Sequence, residues 1–151
     1  MITFTKGDLF ESQAEALVNP VNCVGVMGKG LALQFKKRFP ENFRLYDAAC
    51  AFREIQTGKM FVTQPMEPGA PRWIINFPTK KHWSNPSKLE FIEDGLNYLR
   101  RFLIENHVNS VAIPALGSGL GGLDWKDVRR LIERELAGLD TEIYVYPPNQ
   151  S

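Results

Sequence analysis

The segment Val111-Ala-Ile-Pro-Ala-Leu-Gly-Ser-Gly-Leu-Gly-Gly-Leu-Asp-Trp125 passes from an apolar run through a glycine turn to a helix start. Val111 to Leu116 is short and apolar, which predicts a buried strand, and Asp124 stands where a helix N-cap belongs. Between them Gly117, Gly119, Gly121 and Gly122 let the backbone turn sharply and approach a ligand closely. The coming helix would add unpaired N–H groups and the positive end of its dipole, a setting that suits a phosphate. Alone, such a turn is equally well a tight connection. It is neither the G-x-G-x-x-G of a first strand nor a P-loop, because no Gly-Lys-Ser/Thr follows.

A second copy of the device lies upstream. Ala16-Leu-Val-Asn-Pro-Val-Asn22 reads as a brief buried strand, and Cys23-Val-Gly-Val-Met-Gly-Lys-Gly30 as a glycine loop. Leu31, Phe35 and Phe39 then recur at helical spacing with Lys36, Lys37 and Arg38 on other faces, ending before Pro40.

The remaining segments alternate between the two periodicities. Ile2 to Thr5 predicts a half-buried strand ending at Lys6-Gly7-Asp8, with Asp8 either capping a short turn through Ser12 or accepting a hydrogen bond from a ligand amine. Asn42 to Phe52 predicts a core helix, and Gly58 to Pro65 with Arg72 to Pro78 a hairpin that ends in Thr79-Lys80-Lys81-His82-Trp83. A long helix is expected from Pro86 to about Asn106, another from Trp125 to Leu136, and a last strand over Thr141 to Tyr146. This alternation predicts an α/β sandwich with a mixed sheet, helices on both faces, and ligands beyond the carboxyl ends of the strands.

Composition narrows the class. The chain has 151 residues, 44% of them hydrophobic and 23% charged, which fits one domain with a real core and excludes disordered and fibrous classes. A net charge of +1 gives no global argument for nucleic acid or membrane. Cys23 and Cys50 lack C-x-x-C spacing and predict free thiols in a cytoplasmic protein. With His82 and His107 they build no familiar zinc site, so no metal is expected. No stretch reaches the roughly 20 apolar residues of a membrane span. The tail Pro147-Pro-Asn-Gln-Ser151 reads as the start of a linker, with residues 1–151 expected to be one amino-terminal domain of a longer protein.

Ile2-Thr-Phe-Thr-Lys-Gly-Asp-Leu9, Leu17-Val-Asn-Pro-Val-Asn22, Met27-Gly-Lys-Gly-Leu-Ala32 and Ile113 through Trp125 together resemble a macrodomain, a three-layer α/β/α sandwich. Phe35-Lys-Lys37 and Phe77-Pro-Thr-Lys80 are similar to the branch that holds the terminal ADP-ribose glycohydrolase and the DarG antitoxins. The resemblance implies an ADP-ribose cleft between the glycine loops and no cofactor. Adenine would lie near Asp8 and Leu9, and the diphosphate on Gly117, Ser118, Gly119, Leu120 and Gly121. Pro20, Val21, Asn22 and Leu31 would line the distal ribose, with Thr79 and Lys80 closing over its anomeric carbon.

In that branch a lysine attacks the anomeric carbon, and Lys80 matches it. An attacking amine must be neutral, which burial beside a second cation favours; Lys81, Thr79, His82 and Trp83 are the neighbours that would provide this. The strand pattern itself stops at Pro78 and leaves Lys80 and Lys81 undecided. Gly121 stands where the human-type enzyme of the branch carries an aspartate, with Asp124 three residues on. The acid partner is therefore water, Asn22 or no dedicated group.

The implied activity is removal of ADP-ribose from thymidine of single-stranded DNA, opposing a DarT toxin bound through a region outside this chain. Lys36 to Arg38, Lys80, Lys81, Lys88 and Trp83 are candidates for tracking the DNA. The alternatives are a non-catalytic ADP-ribose binder, a hydrolase of ADP-ribosylated glutamate in proteins, and a plain nucleotide-phosphate binder.

Overall fold

The computed structural model describes residues 1–148, so 149–151 of the expected linker lie outside the described residues. Six strands, β1 Ile2–Phe4, β2 Ala16–Asn22, β3 Phe61–Thr63, β4 Trp73–Lys80, β5 Ser110–Ile113 and β6 Glu142–Val145, form one sheet in the order β1-β6-β5-β2-β4-β3. The first five in that order are parallel. The short β3 closes the edge antiparallel to β4, as the hairpin reading requires. The helices are α1 Gly30–Arg38, α2 Pro40–Ala51, α3 Leu89–Glu105 and α4 Trp125–Glu135, with a 3-10 turn at Leu9–Glu11.

The central strands are buried on both faces, which is why they read as continuous apolar runs. Period-two alternation then sorts their side chains. Ala16, Val18, Ile75, Phe77, Val111 and Ile113 meet Ile92, Leu96 and Leu99 of α3 and Val128 and Ile132 of α4. Leu17, Ile74 and Ala112 point the other way and pack on Phe35 and Phe39. Val21 shares that face with Met27, Tyr46 and Ala49 beneath the first glycine loop. Each fully buried Ile or Leu of this kind contributes roughly 1.5–3 kcal/mol relative to exposure.

Three departures from the sequence reading bear on the site. First, β4 passes Pro78 and continues to Lys80. A proline lacks the ladder N–H and is confined to places where that donor is not needed, a bulge among them; here Val21 pairs with Pro78 but Asn22 with Lys80. Thr79 is thus the extra residue of a bulge, which re-aims the strand end. Second, α3 begins at Leu89 and not at Pro86, because Ser87 is held by other elements. Third, β5 ends at Ile113, so Pro114 to Leu116 already belong to the loop.

A buried polar network ties β2, β4, β3 and α2 together. Asn19 Nδ2 donates to Asn76 Oδ1 at 3.0 Å, Asn76 Nδ2 to Asn42 Oδ1 at 2.9 Å, and Thr63 Oγ1 to Asn42 Oδ1 at 2.6 Å. Asn42 had no assigned role in the sequence, because a helical asparagine gives no pattern that distinguishes a buried bond from an exposed one.

Candidate functional site

The carboxyl ends of β2, β4 and β5 open onto a cleft of about 310 Å³. A parallel sheet sends its backbone off in different directions at that end, so a crevice forms there. Of the residues expected to bind ligand, Pro20, Val21, Asn22, Leu31, Thr79, Gly117, Gly119, Leu120 and Gly121 line the cleft, and so does Lys80. Lys81 does not; its ammonium lies 5.7 Å from the centre of the Phe91 ring. The bulge thus separates the two lysines that the sequence left undecided. The second cation at the cleft is Lys29.

Asp8, Leu9 and Ser118 do not line the cleft. Asp8 takes the capping role, accepting from the Phe10 N–H at 2.9 Å. Leu9 is buried with Phe35 and Ala112, in the cluster on which the cleft residue Leu31 also packs. The Ser118 N–H donates to the Ala115 carbonyl at 3.1 Å, which closes the turn.

Both loops are organised from below. The Asn22 amide donates to the Val26 carbonyl at 2.7 Å, and its Oδ1 accepts from the N–H groups of Val24 at 3.0 Å and Val26 at 3.3 Å. The buried Tyr46 hydroxyl lies 2.7 Å from the Asn22 carbonyl and 3.0 Å from its Oδ1. Most of the Asn22 side chain is therefore engaged with its own loop, leaving one amide hydrogen for a ligand. In the second loop Gly117 has φ +68°, and a Cβ on Gly121 would stand 2.5 Å from the Gly117 carbonyl oxygen. Ser87 joins this loop to β4: its N–H donates to the Gly121 carbonyl at 3.0 Å and its hydroxyl to the Thr79 carbonyl. A serine just after a proline was the available signal, but it also fits a helix start.

The helix that meets the cleft is α1, not α4. Gly30, Leu31 and Ala32 line the cleft, and the Lys29 N-cap position makes no side-chain bond to the first turn. By contrast the α4 start is capped by Asp124, which accepts from the Lys126 N–H at 2.9 Å. The unpaired donors and positive dipole end expected after the second loop are thus supplied after the first. Because α1 begins at the cleft, Lys36, Lys37 and Arg38 sit in its last turn, about 10 Å further along its axis. There Lys36 lies 4.4 Å from the Phe43 ring centre and Arg38 4.4 Å from that of Phe10.

No aspartate or glutamate is among the lining residues. The cleft wall is mostly apolar, with Lys29 and Lys80 its charged side chains. Cys23 lies outside it with Cys50, and burial pushes both thiols up, Cys50 to about 11. A raised thiol is a poor nucleophile at neutral pH, so neither cysteine is an activated nucleophile. Among the described residues no group of three or more His, Cys, Asp or Glu could hold a metal ion, and no helix is long and apolar enough to cross a membrane.

A mixed sheet between helix layers, with two glycine loops and an uncapped helix start around one crevice, defines an α/β/α sandwich with a candidate ligand cleft at its strand ends. The Macro domain family model matches residues 18–132, and the chain belongs to the macrodomain family. It is 53% identical over 150 residues, 99% of its length, to a Mycobacterium tuberculosis protein named DNA ADP-ribosyl glycohydrolase. The solved macrodomain of Mycobacterium tuberculosis DarG superposes with a TM-score of 0.96 at 53% identity, covering 99% of both chains. Thermosipho africanus DarTG in complex with ADP-ribose matches with a TM-score of 0.91 at 36% identity, over 99% of this chain and 42% of that one. The chain spans less than half the length of the relatives named DNA ADP-ribosyl glycohydrolase, 43% of the mycobacterial protein and 41% of one from Thermus aquaticus.

Proposed function

We propose that this macrodomain is a DNA ADP-ribosyl glycohydrolase, removing ADP-ribose from thymidine in single-stranded DNA as the antitoxin of a DarT-type transferase. The observation that carries the reading is Lys80, placed by the β4 bulge at the cleft and paired in register with Asn22. The names of the relatives support it, one of them a transferase fused to a glycohydrolase. The DarT partner would be engaged through a region beyond this chain. Free cysteines and a DNA substrate fit work in the cytoplasm.

In this reading ADP-ribose lies along the cleft. The α1 start, Lys29 and the backbone of Gly117 to Gly121 neutralise the diphosphate. Pro20, Val21, Asn22 and Leu31 confine the distal ribose, while the adenine extends past the cleft lining toward Asp8 and Leu9. The Lys80 amine forms an N–C bond to the anomeric carbon as the bond to the base breaks. The base leaves with the bonding electron pair and takes up the proton that the lysine nitrogen sheds. Water then adds to the anomeric carbon and releases the amine and ADP-ribose. With no carboxylate at the cleft, proton movement falls to the lysine nitrogen and water.

The test is incubation with DarT-modified oligonucleotide, with free ADP-ribose and unmodified DNA as the expected products. Release only from ADP-ribosylated glutamate would favour the protein hydrolase, and binding of ADP-ribose without release from either would favour the non-catalytic reader.

A further inference from the structure

Beyond Lys80 the cleft continues into a second hollow of about 450 Å³, lined by Val26, Gly28, Lys29, Lys80, Trp83, Ser84 and Leu120. All of these except Ser84 also line the main cleft, so the hollow is a part of the same opening and Lys80 lies on the wall the two share. Three side chains on three separate segments leave apolar surface open here: Val26 at 38% exposure, Trp83 at 56% and Leu120 at 70%. Large apolar groups that converge on one opening mark a binding surface more than scattered ones do. The charged side chains of the hollow are both lysines.

Trp83 is presented on a braced turn. His82 Nδ1 lies 2.7 Å from Ser84 Oγ and accepts from the Ser84 N–H at 3.1 Å, and the Asn85 N–H donates to the His82 carbonyl at 3.0 Å. The His82 ring backs the indole with centroids 5.0 Å apart. The Cys23 N–H donates to the Lys81 carbonyl at 3.2 Å, tying this turn to the first glycine loop. An exposed indole fixed in this way keeps one face open to solvent.

We propose that this hollow is the subsite for the departing nucleobase, which stacks against Trp83 between Val26 and Leu120 while Lys29 faces the adjacent phosphate of the strand. The inference rests on the glycohydrolase reading and adds the part of the substrate on the far side of the scissile bond. A base held in the hollow lies next to the anomeric carbon that the ribose presents from the main cleft, within the same opening as the Lys80 side chain. A flat apolar wall with cations and no anions suits a base on a single strand: stacking accepts any base, and the lysines attract its backbone.

The test uses the Lys80→Ala protein, so that modified DNA stays intact, and compares its affinity for an ADP-ribosylated thymidine oligonucleotide with that for free ADP-ribose. The oligonucleotide is expected to bind about 10-fold or more tightly, and adding Trp83→Ala to remove at least about 5-fold of that advantage, while Trp83→Phe retains most of it. Comparing the two ligands within each variant removes any effect of Trp83 on ADP-ribose itself. An advantage unchanged by Trp83→Ala overturns the subsite even if the Lys80-bearing protein releases ADP-ribose. A Trp83-dependent advantage with no release by that protein upholds the subsite and removes the glycohydrolase reading instead.

Discussion

Ser87 and Gly121 are joined by a 3.0 Å hydrogen bond from the serine N–H to the glycine carbonyl, and the same serine's hydroxyl reaches the Thr79 carbonyl. One buried residue thus fixes the second glycine loop against the strand end that carries Lys80. Ser87→Ala keeps the backbone bond but leaves the Thr79 carbonyl without that donor. The expected cost is about 1–2 kcal/mol in urea unfolding, with weaker ADP-ribose binding by calorimetry. Unchanged stability and affinity would show that the clasp is dispensable.

Lys80 and Lys81 are expected to separate sharply. Lys80→Ala should lower release of ADP-ribose from modified DNA by at least about 10³-fold, as loss of a nucleophile does, with ADP-ribose affinity changed only a few-fold. Lys81→Ala should stay close to the starting rate, because its ammonium lies toward Phe91 and outside the cleft. Equal losses in single-turnover assays would remove the distinction drawn from the bulge.

Two glycines of one loop should respond differently. A methyl on Gly121 meets the Gly117 carbonyl at 2.5 Å, whereas one on Gly119 meets nothing within 4 Å. Gly121→Ala is expected to cost roughly 1–3 kcal/mol through overpacking against backbone, lowering both melting temperature and ADP-ribose affinity. Gly119→Ala should keep stability within about 0.5 kcal/mol. Matched melting temperatures for the two variants would contradict the geometry.

The thiols give a pH signature. Burial raises Cys50 to about 11 and also raises Cys23 above the usual thiol range, which begins near 9. Above pH 9 the unfolded thiols lose protons that the folded ones still hold, so ν_U falls below ν_N and stability declines as pH rises. The contribution is fully present below pH 9 and lost progressively up to about 11. For Cys50 it is on the order of 1 kcal/mol once solvent screening of this half-buried group is allowed for. Cys50→Ala should flatten part of the fall in melting temperature over that window, and an unchanged slope would refute the assignment.

Sequence periodicity by itself determined the strands and helices, the glycine loops and the crevice at the strand ends. Apolar runs such as Val111 to Ile113 and the α3 stripe of Ile92, Leu96 and Leu99 have to be buried, and burial at those spacings leaves few arrangements. Helix and strand limits were less legible at Pro78 and Pro86, where proline reads as a local stop and neighbours in space decide whether the chain continues.

Strand alternation left Lys80 and Lys81 open and the family resemblance alone pointed to Lys80; the tertiary structure adds that Lys80 lines the cleft and Lys81 does not, through a bulge between β2 and β4 that neither residue's own preference reveals. It also moved the open helix start from α4 to α1: an aspartate cap is a local bond visible in sequence, whereas which helix end faces a cleft is set by sheet order. The roles of Ser87, Asn42 and Tyr46 were hidden for the same reason. Their partners lie 8 to 34 residues away along the chain, and a hydrogen bond across that separation has no periodicity to betray it.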